Sequence, residues 1–357
     1  MINLKEGTRL PTIEDYASVI MPSSVRQDHT PISNIGLVAG APDDWMAVRV
    51  DYENRGERWS LLPGPEFSPR LYRGQNRRYD RTVASLFRLK NENEWLVAST
   101  RLVEFGWYVV QHPGFHAISE EEIGGLKGRV DWRVQGQHYG FPTEFLDTTR
   151  KKDVAEFFAR CRPTGADPTE AWESVPPRDF DAVLYTIDIK RLIDESNNEA
   201  KIVPIGPSPF LRPYRQAAVG LRLNGKDFAQ LPAVHEEPLK FSSQRARQLL
   251  TQFDYGHKLF PEDGMSEIAQ RVLTGDDAPV TAVRATRRLI GRPYLLQEMC
   301  RRIELTGCRI TDREPVIDDA LIDRMEREWR VLAPEYFGRI KARGMCDSFR
   351  PQEDPDP

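Results

Sequence analysis

The spacing of apolar residues along the 357-residue chain changes several times, and each change marks a predicted element. "WMAVRVDY", from Trp45, is strand-like, and a Pro/Gly break follows it at "LLPGPEFSP". "LYRGQ" (71–75) reads as a strand running into a turn at Gly74. "DRTVASLFRLK" (80–90) and "ENEWLVASTRLVEFGWYVV" (92–110) carry apolar residues at helical spacing and predict two helices. In "RKKDVAEFFARC", Val154, Phe157 and Phe158 fall on one face of a short helix. "PTGADPTEAWESVPPRDF" (163–180) reads as an exposed loop, and "DAVLYTIDI" (181–189) as the clearest strand of the chain. "FLRPYRQAAVGLRLNG" is strand-like with polar residues set into it. "SSQRARQLLTQFDYG" predicts an amphipathic helix with a serine cap and a glycine stop. "HKLFPEDG" reads as a turn that buries Leu259 and Phe260. Beyond about residue 275, "TAVRATRRLIGRPYLLQEMCRRIEL" and "DDALIDRMEREWRVLA" predict two helices. Their arginine-rich faces alternate with apolar rows, so they are expected to pack on the main domain and offer a surface to a protein partner. The closing "EDPDP" reads as disordered.

This order predicts an α+β fold: a mixed or antiparallel sheet core with flanking helices and a helical C-terminal extension. The expected divisions are an N-terminal extension over 1–66, the main domain over 67–275, a helical region over 276–345 and a tail over 346–357. With 39% hydrophobic and 29% charged residues, the composition is that of a globular protein. A formal charge of -4 gives no global attraction to nucleic acid, though it leaves room for a local basic patch. Cys161, Cys300, Cys308 and Cys346 form no CxxC pair and have no clustered histidines, which argues against zinc and against a disulfide framework. The first 25 residues hold no apolar core of signal length, and no run of about 18 apolar residues occurs. The expected location is the cytoplasm, with no metal and no membrane partner.

Several signatures are missing: no P-loop, no GxGxxG after a strand, no GxSxG and no HExxH. Polar clusters remain. In "YRGQ", Arg73 would leave a strand end beside Gly74, and its planar donor fork suits phosphate or carboxylate; the plainer reading is an exposed arginine in a turn. "QHYGFPTEFLDTT" (137–149) is unusually polar. Its Asp147, Thr148 and Thr149 are expected to cap the next helix. That leaves Gln137, His138, Tyr139 and Thr143 unexplained, so the segment is expected to floor a pocket whose entry Gly140 and Pro142 shape. His138 suits a general base or a ligand, although a lone histidine is commonly a hydrogen-bonded structural group. "RPYRQAAVG" spaces Arg212 and Gln216 four apart. The "HEE" run (235–237) reads as a solvated loop. Arg73, His138 and Asp147 are expected to share one concave site.

Taken together, these clusters resemble the FRG domain, a largely bacterial family without an assigned activity. Its pattern begins Phe/Tyr-Arg-Gly-Gln, continues as QHxGLPTRLLDWT and a short helix ending in FFA, then a strand, a late Arg/Gln/Gly element and a closing LFPDxxG. Here Tyr72-Arg73-Gly74-Gln75, "QHYGFPTEFLDTT" with "VAEFFA", "VLYTIDI", "RPYRQAAVG" and "LFPEDG" follow in that order. Glu144 and Thr148 depart from it, standing where the family favours Arg and Trp, and three residues separate Gln216 from Gly220 where the family has one.

A second resemblance, in order alone, is to the NAD-binding half of ADP-ribosyltransferases. It implies that Arg73 contacts the NAD phosphates or ribose and that Thr148 and Thr149 line the nicotinamide pocket. Gln216, or else Glu236 or Glu237, would steer the ribose. Taken with the polar clusters, the expected catalytic set is Arg73, His138, Asp147 and Gln216. The expected NAD-binding set is Tyr72, Gly74, Gln75, Gln137, Tyr139, Thr143, Thr148, Thr149 and Arg212. The expectation is an NAD-using ADP-ribosyltransferase-like enzyme acting as a bacterial toxin or anti-phage effector. The alternatives are a non-catalytic module that senses a nucleotide-like small molecule, and an enzyme acting on nucleic acid.

Overall fold

The computed structural model describes residues 8–10, 12–14, 45–51, 56–63, 70–165, 170–195, 200–291, 294–341 and 345–346. The "EDPDP" tail and most of "LLPGPEFSP" lie outside the described residues. The strand Trp45–Asp51 (β1) pairs antiparallel with Glu57–Pro63 (β2). Arg70–Gln75 (β3) then enters a central sheet. Residues 80–90 form no helix: only a single 3-10 turn at Ser85–Arg88 appears, while Thr82, Val83 and Ala84 are buried in an extended approach to it. Their helical spacing is overridden by tertiary packing.

Helix Glu92–Gln111 (α1) is the longest of the middle region and starts from a reciprocal cap. The Asn91 side chain accepts from the Glu94 amide at 3.0 Å, and the Glu94 carboxylate accepts from the Lys90 amide at 3.0 Å. Leu96, Leu102, Val103, Phe105 and Val109 are buried along its length. It runs through His112 into Pro113–Glu120 (α2), where the His112 Nδ1 accepts from the Gly114 amide and proline opens the first turn. Next come Trp132–His138 (α3), Phe145–Thr149 (β4) and Lys152–Arg160 (α4). The predicted loop over 163–180 holds part of a small hairpin, Cys161–Pro163 (β5) against Trp172–Ser174 (β6), with Trp172 buried. An exposed loop has no use for an indole; this one packs among Phe157, Phe158 and Phe260.

Val183–Asp188 (β7), Lys201–Pro204 (β8), the short helix Leu211–Arg215 (α5), Ala218–Arg222 (β9) and Val234–Pro238 (β10) follow. The stretch expected to be strand throughout 210–225 is thus a helical turn feeding a strand, and the "HEE" loop is the edge strand β10. The central sheet runs β8-β9-β4-β3-β7-β10, antiparallel throughout. The fold is α+β.

Ser243–Gln252 (α6) and Gly264–Thr274 (α7) carry side-chain caps from Ser242 and Asp263. The predicted single helix after 280 is two, Val280–Ile290 (α8) and Leu296–Glu304 (α9), broken where Gly291 adopts φ 62°. Asp319–Gly338 (α10) closes the helical part. These C-terminal helices pack on the rest of the chain. Leu96 of α1 shares a buried cluster with Val283, Met299 and Ile303, and Arg313 pairs with the buried Glu104 at 2.7 Å and with Asp277 at 3.0 Å. The largest apolar cluster joins Trp45, Phe105, Tyr139, Phe210, Met325 and Trp329, and Ile340–Lys341 runs parallel beside β1. No helix among the described residues is long and apolar enough to cross a membrane.

Candidate functional site

β3 and β4 are sheet neighbours that pair at one position only, Tyr72 with Thr149. Past it the backbone ladder stops, and Arg73 Nη1 reaches across to donate to the Asp147 carbonyl at 2.7 Å. A recess of about 310 Å³ opens at this parting. Tyr72, Arg73, Gly74 and Gln75 come from β3, Asp147, Thr148 and Thr149 from β4, and Gln137 and His138 from the end of α3. An aromatic wall of Phe158, Trp172 and Phe260 faces them, Trp172 and Phe260 stacked at 5.1 Å, with Tyr79 and Arg88 also lining the space.

Arg73 is half-buried and lines the recess. Burial holds its guanidinium below the usual range; the nearby Asp147 works against that, and the Arg88 cation adds to it. Among the described residues no carboxylate lies within ion-pair distance of Arg73, and its Nε has no hydrogen-bond partner. Cys161 also lines the recess, but burial pushes its thiol up to about 12, so it is no ready nucleophile.

A fixed chain of hydrogen bonds runs behind Asp147. Gln216 Nε2 donates to the Leu259 carbonyl at 3.0 Å. A carbonyl only accepts, so the amide orientation is set and Gln216 Oε1 must accept from His138 Nδ1, 3.0 Å away. His138 therefore carries a proton on Nδ1 and turns Nε2 toward Asp147 Oδ1 at 3.6 Å. Both of these atoms are buried and have no hydrogen-bond partner. On the other side of the carboxylate, Gln137 Nε2 donates to Asp147 Oδ2 at 3.3 Å, and the Thr143 hydroxyl donates in turn to Gln137 Oε1.

Residues 68–167 match the family model of the FRG domain. The chain carries an FRG domain. No curated protein and no solved structure matches it. The matched span holds "YRGQ", "QHYGFPTEFLDTT" and α4, and ends before Gln216 and Phe260, which complete the recess.

Much of the predicted polar set in the FRG domain converges on this recess. Arg73, His138 and Asp147 share it with Tyr72, Gly74, Gln75, Gln137, Thr148, Thr149 and Gln216. Others lie elsewhere. Tyr139 is in the core, donating to Asp263 at 2.6 Å, and burial beside that carboxylate pushes its phenol up. Arg212 stacks over the Tyr139 ring at 4.8 Å and donates to the Ser266 hydroxyl at 2.7 Å, a buried brace under the site. Thr143 stands behind Gln137 and does not line the recess; its hydroxyl also accepts from the Phe145 amide at 3.3 Å. Glu236 and Glu237 stand on the edge strand β10, Glu236 paired with Arg78 at 2.6 Å, and neither lines the recess. Gly140 and Pro142 border a separate depression with Leu273 and Cys308, so they do not shape the entry.

Two roles change. Asp147, Thr148 and Thr149 do not cap α4 as a group, because all three lie in a strand. The Thr148 and Thr149 hydroxyls donate to the carbonyls of Val219 and Gln216 at 2.8 and 2.7 Å, and only Thr149 Oγ1 also accepts from the Lys151 amide at 3.0 Å. Gly74 serves the helix rather than a ligand, since a Cβ there would stand 1.7 Å from the Ala155 carbonyl oxygen. The aromatic wall was invisible in the spacing of residues, because it is assembled from α4, β6 and the turn before α7.

Proposed function

We propose that the recess binds a phosphate-bearing nucleotide, with NAD as the ligand, and that the protein is an ADP-ribosyltransferase-like enzyme. The observation that carries this reading is Arg73, a half-buried guanidinium without a paired carboxylate, opening into a recess that a second cation, Arg88, also lines. A planar donor fork in a partly dry site suits phosphate, and the aromatic wall opposite suits a flat heterocycle. The volume lies at the low end of ligand sites, which span about 300–1,000 Å³, so it fits one nucleoside end of a dinucleotide with the remainder at the mouth. Supporting the transferase reading, the three elements that the resemblance singles out sit on or directly before adjacent strands: Arg73 on β3, Thr148 and Thr149 on β4, Gln216 leading into β9.

The chemistry asks little covalent help from the protein. Cleavage of the nicotinamide–ribose bond passes through a positively charged ribose, which the site must hold still and stabilise electrostatically. An NAD-consuming activity of this kind suits a toxin or anti-phage effector. A second reading, a nucleotide-sensing module that binds without turnover, is favoured by Gln216: both ends of its amide are taken by protein atoms. Incubating purified protein with NAD and following nicotinamide by chromatography separates the two. The transferase reading expects release that Arg73→Ala abolishes. Saturable binding with no release supports the sensing module, and absence of binding sinks both.

A further inference from the structure

We infer that Asp147, on the middle strand of the three, is the carboxylate that faces the ribose, and that His138 is its positioning residue; this rests on the NAD reading above. Three observations carry it. Asp147 is the one carboxylate among the described residues lining the recess. Its side chain is 38% exposed although Oδ1 is buried, so the remainder of the group is what the recess presents. Behind it, the His138 side chain is 1% exposed, and its Nε2 is a buried, unpartnered atom aimed at Asp147 Oδ1. Orphaned buried polar atoms are rare and call for an explanation. Here both members of the pair are acceptors whenever the imidazole is neutral, because Gln216 already holds the Nδ1 proton. Two buried acceptors cannot bond each other, so His138 bounds the carboxylate on one side while Gln137 Nε2 holds Oδ2 on the other, and the exposed part of the group is left for positive charge or a hydroxyl in the recess.

That is what the reaction develops. The bond from the ribose carbon to the nicotinamide nitrogen breaks and its electron pair leaves with nicotinamide. Positive charge spreads over the ribose carbon and ring oxygen. The acceptor's oxygen or nitrogen then bonds to the same carbon and its proton passes to solvent. A carboxylate beside the ribose stabilises the charged state and accepts from a ribose hydroxyl. Gln216 cannot do this, being neutral and held at both ends, and Glu236 and Glu237 are outside the recess. His138, Gln216 and the Leu259 carbonyl form a column against which Asp147 Oδ1 stands, while Gln137 Nε2 holds Oδ2 at 3.3 Å.

The test uses the full chain with NAD. Binding is read by isothermal titration of NAD and turnover from nicotinamide release, with a thermal melt of every variant. Asp147→Asn is expected to bind NAD within about threefold of wild type and to release nicotinamide at least about 100-fold more slowly, the loss typical of removing one preorganised group. His138→Gln is expected to lower the release rate about 10–100-fold with KM for NAD nearly unchanged, the signature of misplacing a group rather than of unfolding a site. Gln216→Glu is expected to bring no gain; a third-strand carboxylate would bring one. If Asp147→Asn fails to melt cooperatively, Asp147→Ser replaces it. Release that survives loss of the Asp147 carboxylate, or that rises in Gln216→Glu, overturns this inference and leaves the transferase reading standing. A wild type that releases no nicotinamide overturns both.

Discussion

Replacing Gly74 by alanine adds one methyl group at the point where β3 meets α4. The new Cβ would lie 1.7 Å from the Ala155 carbonyl oxygen, 2.7 Å from its carbon and 2.9 Å from the Ala159 nitrogen. All three are backbone atoms, so no side-chain rotation relieves the clash. Restoring the 3.0 Å that real Cβ atoms keep requires strand and helix to separate by about 1.3 Å in a close-packed interior. The helix is not free to retreat. Its Phe157 packs on Trp172 and Phe253 at 4.9 and 5.4 Å, and Asp153 and Glu156 are tied to Arg245 at 2.6 and 2.8 Å. Overpacking costs about 1–3 kcal/mol, and a backbone clash against an anchored helix belongs at the top, about 3 kcal/mol. For a chain of this size that is a fall of roughly 4 °C in Tm. Calorimetry of wild type, Gly74→Ala and Gly338→Ala measures it; nothing lies within 4 Å of a Cβ at Gly338, so that variant should melt within a degree or two of wild type. If Gly74→Ala melts with wild type, the glycine of "YRGQ" is not there for the helix, and the close approach described above is wrong.

Two other substitutions probe what holds the site's scaffold. His112 is buried, capping α2 through Nδ1, and burial holds its imidazole down at about 3. The folded pKa lies below the ordinary 6.5, so stability is full above 6.5 and is lost as pH falls toward 3, by about 2 kcal/mol at pH 5. His112→Asn keeps an acceptor for the Gly114 amide, and urea titrations at pH 7 and pH 5 should find this loss in wild type but not in the variant. Arg313→Ala strands the buried Glu104, whose carboxyl desolvation already pushes up against the pull of Arg313. It should destabilise by about 3–5 kcal/mol in the same titrations, and a change under 1 kcal/mol would mean that Glu104 needs no partner.

Local patterns were readable where one residue's surroundings are set by its neighbours in sequence. Helix α1, the strand β7 and the apolar face of α4 all follow from spacing, and Leu259 and Phe260 are buried as their turn suggested. Errors arose where distant chain decided the outcome. Val83 and Ala84 have helical spacing but are buried in an extended segment. Asp147, Thr148 and Thr149 have the chemistry of a helix cap. They are a strand because Val219 of β9 and Gln216 just before it offer carbonyls to the two threonines, and β9 pairs along all of β4. The half of the recess built from "YRGQ" and "QHYGFPTEFLDTT" could be anticipated from polar residues with no packing use. Trp172, Phe158 and Phe260 could not, because any buried aromatic residue satisfies a core equally well.

The central claim is that Arg73 holds the phosphate of a bound NAD. Isothermal titration of NAD into wild type and Arg73→Lys, at a temperature where both are folded, tests it most directly. Lysine keeps the charge but loses the planar fork, at a cost of about 1.5–3 kcal/mol for a charge-assisted contact. The account predicts one binding site in wild type and an affinity about 10–100-fold weaker in Arg73→Lys. Equal affinities in the two proteins, or no binding heat in wild type at any temperature tried, would contradict it.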